Sequence, residues 1–210
     1  ALPGKFNVYN ALAALQTVSC LGFDREEAGV VLKHLTVRGR MERIDAGGDF
    51  QCYIDYAHNA MSLAEVLKML RSYEPERILL VFGCGGNRAG SRRGRMGRVA
   101  GELADLTIIT SDNPRWEEPT KIMKDIEDGI KETSGVYQMI RNREEAVLFA
   151  VERAGYGDIL LIAGKGHENY QEICGVRHPM DDRELVQKAA RLVAQKRQKK
   201  EQTECTQILL

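Results

Sequence analysis

The strongest constraint on this chain is a recurring unit: a short apolar run, a loop rich in glycine or Asp-Asn-Pro, then a segment of helical period. Ile78 to Phe82 runs into Gly83-Cys84-Gly85-Gly86-Asn87-Arg88, and Leu106 to Thr110 into Ser111-Asp112-Asn113-Pro114-Arg115. Asp158 to Ala163 runs into Gly164-Lys165-Gly166-His167-Glu168. Continuous apolar runs of this length suit strands buried on both faces, and helical crossovers between them suit parallel pairing. The expected fold is therefore α/β, a Rossmann-like, mainly parallel sheet with flanking helices.

The rest of the chain fits around that unit. Met41 to Asp45 and Phe50 to Asp55 read as a hairpin about Gly47-Gly48, and Ser62-Leu63-Ala64-Glu65 has the spacing of a capping box. Helices are expected from about 94 to 104, near 119–132 and near 143–154, with a strand at 136–140 and a charged helix from Asp182. The first 36 residues read as two helices, with Gly22 as a stop and Asp24 as a cap. A helical pair with no strands to cover buries little, so residues 1–36 are expected to be the end of another, incomplete domain. Residues 37–198 then form a domain of their own, and 199–210 a polar tail that frays.

Charge excludes several classes. Thirty basic residues balance thirty acidic ones, so no net field draws the protein to nucleic acid or to a membrane. No apolar run reaches the roughly 18–20 residues of a bilayer span. Five cysteines without a CxxC pair speak against a zinc ribbon or a disulfide scaffold and for a reducing, cytoplasmic setting. The chain opens inside a helical pattern without a signal-peptide layout, which reads as a fragment of a longer protein.

In an open α/β sheet, ligands bind beyond the carboxyl ends of the strands, so the three loops above are expected to meet at one edge. Glycines in the first let backbone N–H groups approach an anion, with Arg88 as a bidentate donor, or they serve only a tight turn. It is neither a Walker A loop nor a dinucleotide fingerprint. Arg88, Arg92, Arg93, Arg95 and Arg98 are a solvated helix face or an anion-facing run, Arg88 and Arg93 preceding the helix. No aromatic residue interleaves with them as single-stranded nucleic acid would require. Asp112-Asn113-Pro114 alone is a turn, but Arg115 adds a planar fork suited to carboxylate. Lys165, His167 and Glu168 invite a metal or acid–base reading, although no second histidine lies at ligand spacing. Ammonium recognition by Glu168 is the other reading. His58, in Asp55-Tyr56-Ala57-His58-Asn59, is a satisfied loop histidine or sits against a nucleotide.

Taken in order, these segments resemble a known family. Gly4-Lys5-Phe6-Asn7-Val8-Tyr9-Asn10 with Ala11-Leu12-Ala13-Ala14, then Gly39-Arg40-Met41-Glu42, Asp55-Tyr56-Ala57-His58, the glycine loop, Asp112-Asn113-Pro114-Arg115 and Gly164-Lys165-Gly166-His167-Glu168, are similar to the Mur ligases of peptidoglycan synthesis. The similarity is to members that add meso-2,6-diaminopimelate to UDP-N-acetylmuramoyl-L-alanyl-D-glutamate. It implies an ATP-dependent, magnesium-requiring ligase working through an acyl phosphate, as a cytoplasmic monomer. The phosphate-binding loop, the magnesium ligands and a carbamylated lysine would lie upstream, leaving no catalytic or metal residue in this chain. For ATP the resemblance implies Asn7 and Asn10 at the adenine, Arg40 at the phosphates, Asp55 at the ribose and His58 near the nucleotide. For diaminopimelate it implies Arg88, Asp112, Asn113, Pro114, Arg115, Gly164 and Glu168. A stand-alone diaminopimelate-binding module and a ligase like folylpolyglutamate synthetase are the alternatives.

Overall fold

The computed structural model describes residues 3–208, with side chains described through residue 199. Six strands, β1 (Glu42–Ile44), β2 (Gln51–Asp55), β3 (Ile78–Phe82), β4 (Leu106–Ile109), β5 (Tyr137–Met139) and β6 (Ile159–Ala163), form one sheet in the order β1-β2-β6-β3-β4-β5. All neighbours are parallel except β1, which pairs antiparallel with β2 in the expected hairpin. The helices are α1 (Lys5–Cys20), α2 (Arg25–His34), α3 (Ala60–Arg71), α4 (Gly90–Leu103), α5 (Pro119–Ile130), α6 (Arg143–Arg153) and α7 (Asp182–Ile208).

The period of two along the strands builds two cores. Ile78, Leu80 and Phe82 of β3 turn to the face covered by α3, α4 and α5, where Leu63, Leu67, Met96 and Ile126 meet them. Leu79 and Val81 turn to the other face, against Val147 and Ala150 of α6 and Val186 of α7. Burying each such side chain stabilises the fold by about 1.5–3 kcal/mol before chain entropy is set against it. Gly97 lets α4 and α5 touch backbone to backbone, since a Cβ there would run into the Ile126 carbonyl.

Two expectations need correction, and one element was not expected. The capping box of α3 uses Asn59 as its cap and Ser62 as its third residue, so the helix begins before Ser62. Helix α4 starts at Gly90, about one turn earlier than expected, with Ala89 as a cap lacking any side-chain bond. A hairpin of β7 (Tyr170–Ile173) and β8 (Val176–Pro179) follows the third loop. Its Cys174-Gly175 turn has φ of 49° and 78°, the twist a two-residue hairpin turn requires. Helix α7 runs through Ile208; residues 1, 2, 209 and 210 lie outside the described residues. At the other end Asp24 caps α2 as expected, accepting from the amides of Glu26 and Glu27. No residue of α1 or α2 is buried.

Candidate functional site: two clefts at one edge of the sheet

β2, β6, β3 and β4 are neighbours, so their carboxyl ends bring the three loops and the Asp55–Asn59 segment to one edge. A small cleft of about 190 Å³ opens between them. Its lining includes Arg88, Asp112, Asn113, Arg115, Gly164 and Glu168, six of the seven residues expected at diaminopimelate. The seventh, Pro114, lines a separate depression on the far side of its loop. Gly86 lets the first two loops close on each other: its amide donates to Asn113 O at 2.8 Å, and a Cβ would meet the Pro114 carbonyl.

The hairpin unforeseen in the sequence holds the Asp-Asn-Pro-Arg loop in place. The Arg115 amide donates to Glu172 O at 3.0 Å, the Cys174 amide to Arg115 O at 2.7 Å, and Gln171 Nε2 to Asp112 O at 2.7 Å. Arg115 has a φ of 52°, a left-handed conformation that these bonds enforce. Its Nη1 donates to Gly86 O at 2.8 Å and its Nε lies 3.4 Å from Glu172 Oε2. The guanidinium is thereby braced at the cleft wall, while Arg88 stands exposed at the mouth.

Opposite these cations lies Glu168, half-buried. Its Oε2 accepts from Asn113 Nδ2 at 2.7 Å, and its Oε1 lies 3.4 Å from the Tyr56 hydroxyl. Burial and the nearby Glu168 carboxylate raise the Tyr56 phenol, holding it protonated. Asp112 lies beneath, and burial raises its carboxyl above the ordinary value against the opposing charges of Arg143 and Lys165. Cys84 in the wall is an inert thiol, pushed up to about 12 by burial. The cleft is thus lined by the carboxyl groups of Asp112 and Glu168 together with several guanidiniums.

Arg93 departs from its expected role. It lies inside α4, buried, with its guanidinium bridging Glu117 and Asp125 at 2.8 Å each. Glu117 also accepts from the Asn87 amide, so this pair clamps the glycine loop at the edge of the small cleft, which Arg93 helps to line. Arg92 donates to the His58 carbonyl at 2.6 Å, and Arg98 pairs with Glu132. A helix starting at Gly90 spreads the basic run around its circumference.

A second, larger cleft of about 990 Å³ lies between α1, α2 and the start of α3. Asn7, Asn10, Arg40, Asp55 and His58, the five residues expected at ATP, all line it. Asn7 Nδ2 donates to Pro3 O at 2.7 Å, and Asn10 Nδ2 to Asn7 Oδ1 at 3.2 Å. Arg40 stacks over the Tyr56 ring, 4.8 Å from its centroid. Asp55 accepts from the amides of Met41 and Ala57, each at 2.8 Å, which ties the Gly39–Met41 turn to the end of β2. His58 Nδ1 lies 2.9 Å from Tyr56 O. Tyr56 and His58 line both clefts and so form the wall between them. Sequence reasoning assigned no role to Tyr56, although it stands in a quoted motif, and read Lys165 only with His167 and Glu168 as a metal or acid–base group. Among the described residues, no group of three or more His, Cys, Asp or Glu is placed to hold a metal ion.

Fold and site define a class: a Rossmann-like α/β domain with a small charged cleft beside a larger one at the carboxyl edge of its sheet. Residues 39–166 match the family model described as Mur ligase, glutamate ligase domain, and the chain belongs to the Mur ligase family. A UDP-N-acetylmuramoyl-L-alanyl-D-glutamate--2,6-diaminopimelate ligase of Caldanaerobacter subterraneus subsp. tengcongensis is 46% identical over 185 residues, covering 88% of this chain and 38% of the relative. A solved structure described by the same enzyme name superposes with a TM-score of 0.71 at 42% identity, over 91% of this chain and 39% of that one. The chain therefore spans about two fifths of the length of these relatives. A Mycobacterium tuberculosis folylpolyglutamate synthase complexed with ADP and AMPPCP shares the fold alone, with a TM-score of 0.61 at 18% identity over 78% of this chain and 38% of that one.

Proposed function

We propose that this chain is the amino-acid-binding part of an ATP-dependent ligase that adds meso-2,6-diaminopimelate to UDP-N-acetylmuramoyl-L-alanyl-D-glutamate. The observation that carries the reading is that Arg88, Arg115 and Glu168 line one cleft of about 190 Å³. Diaminopimelate has a second amino-acid centre remote from its nucleophilic amine. Arg115 and Arg88 take its carboxylates, and Glu168 with the Gly164 carbonyl accepts from its ammonium. Asn113 keeps one amide hydrogen for the same carboxylate, the rest of its amide being committed to Glu168, Lys165 and Glu172. Lysine, which lacks the remote carboxylate, would leave the donors of Arg115 not held by Gly86 O and Glu172 without that partner.

In the full reaction ATP phosphorylates the γ-carboxyl of the D-glutamate residue. The amine of the bound amino acid then attacks the acyl phosphate, releasing phosphate and forming the amide. Holding the amine close to that carbonyl converts an encounter into a unimolecular step. The larger cleft serves the nucleotide, with Asn7 and Asn10 at the base, Arg40 at the phosphates, and Asp55 and His58 beside the sugar. Residues 1–36 belong to the ATPase domain of the whole protein, 37–198 form the amino-acid domain, and 199–210 are a tail. Magnesium would be held outside this chain, and no step described here runs through it. Their setting is the cytoplasm, with the ligase as a monomer.

The test is phosphate release by the complete gene product with ATP, magnesium, the nucleotide dipeptide and either meso-diaminopimelate or L-lysine. Turnover should require every component and fall by at least about 100-fold with lysine. Equal rates with the two amino acids would contradict the assigned specificity.

A further inference from the structure

Behind Asn113 and Glu168 of the small cleft lies a buried cation to which the proposed chemistry gives no task. Lys165 lies in the same loop as Glu168, and its side chain is fully buried. A lysine is almost never taken wholly out of water unless its charge is matched and its N–H groups are bonded. Here Nζ donates to Asn113 Oδ1 at 3.1 Å, to the Tyr170 carbonyl, and toward Glu168 Oε2 at 3.5 Å.

These bonds decide how the neighbouring amide is turned. Asn113 Oδ1 accepts from Lys165 and from the Glu172 amide at 3.0 Å. With its oxygen held on that side, the Asn113 NH₂ must face the other way, where it donates to Glu168 Oε2 at 2.7 Å. The charges meet at the same floor: Asp112, Glu168 and Asp182 lie against Arg143 and Lys165, both of which pull the Asp112 carboxyl down. Arg143 is bound to Asp182 through two bonds of 2.7 and 2.8 Å, while Lys165 Nζ lies 3.5 Å from Glu168 Oε2.

We infer that Lys165 is the positioning residue of the amino-acid cleft: its ammonium fixes the Asn113 amide and lies against Glu168, so that the Glu168 carboxylate is presented to the ligand ammonium in one orientation. This rests on the reading of Glu168 as the ammonium acceptor. Lys165 itself touches no ligand in this account and acts through Asn113 and Glu168.

A double-substitution cycle on the 210-residue chain, read by calorimetric titration with meso-diaminopimelate, separates this from a merely structural role. Glu168→Gln should weaken binding by about tenfold or more, as loss of a charge-assisted bond does. Lys165→Met should weaken it to a similar degree. The doubly substituted chain should bind within about twofold of Glu168→Gln alone, because Lys165 acts through a carboxylate already removed. If Lys165→Met melts before titration, Lys165→Gln, which keeps a polar group without the charge, is put through the same cycle. The inference is overturned if the lysine substitution leaves affinity unchanged, tightens it, or costs the same factor with and without Glu168. If Glu168→Gln changes nothing, or the parent chain does not bind, the underlying reading of the cleft fails instead.

Discussion

Asn113 Nδ2 donates to Glu168 Oε2 across 2.7 Å, joining the loops that follow β4 and β6. Residues far apart in sequence thereby form one recognition surface, and neither loop alone carries the specificity assigned to it.

Arg115 is braced by Gly86 O and Glu172 at the cleft wall. In the complete ligase, Arg115→Ala should lower kcat/KM for meso-diaminopimelate by at least about 100-fold, equivalent to about 2.7 kcal/mol. The already poor rate with lysine should fall far less, since lysine never gains from that contact. Side-by-side kinetics decide it. Equal proportional losses would make Arg115 a support for the loop and not a selector.

Asp112 is a cost to the fold at neutral pH. Burial raises its carboxyl above the usual 3.8; Glu168 and Asp182 push the same way, while Arg143 and Lys165 pull against them. A carboxyl whose folded value is raised takes up a proton on folding, so stability is lost as pH rises through that value. Asp112→Asn should therefore raise Tm at neutral pH, and the gain should shrink as pH falls toward 3.8. Thermal melts across that range check the sign. A lower Tm at neutral pH would mean that the ionised Asp112 stabilises the fold through Arg143 and Lys165.

Gly97 sits where α4 and α5 approach most closely. Gly97→Ala forces a methyl against the Ile126 carbonyl and should cost about 1–3 kcal/mol, as overpacking does, despite the better helix propensity of alanine. Denaturant unfolding gives the difference directly. A stabilised variant would mean that the two helices separate without penalty.

The sheet was legible because β3, β4 and β6 are apolar runs that only burial on both faces explains, and parallel order then delivers their loops to one edge. The site was legible for the same reason, together with the family resemblance. What escaped lies in segments with weak local signals. The β7–β8 hairpin is short and polar, and every residue of β8 is exposed, so no hydrophobic alternation announced it. Its only sign was the Cys174-Gly175 pair. Arg93 was misplaced because α4 begins at Gly90 without a capping side chain, and the opening Gly90-Ser91 pair carries little helical preference. The task of Lys165 depends on Asn113 and Tyr170, and only the tertiary fold shows that its side chain turns inward.

Helices α1 and α2 hold no buried residue, whereas every residue of β6 is buried. Amides in 8–20 should exchange with solvent much faster than those in 159–163, because local opening there exposes little apolar surface. Hydrogen exchange followed by mass spectrometry reports both. Equal protection would mean that the first two helices unfold only together with the sheet.

The central claim is that one edge of this sheet holds an amino-acid cleft and a separate nucleotide cleft divided by Tyr56 and His58. Two-dimensional amide NMR of the chain, titrated in turn with meso-diaminopimelate and with ATP, tests it most directly. Diaminopimelate should shift amides in 85–88, 112–115 and 164–168, and ATP those in 7–10 and 39–41, with residues 56–58 responding to both. Diaminopimelate shifts confined to 7–10 and 39–41, or none at all in 112–115 and 164–168, would contradict the account.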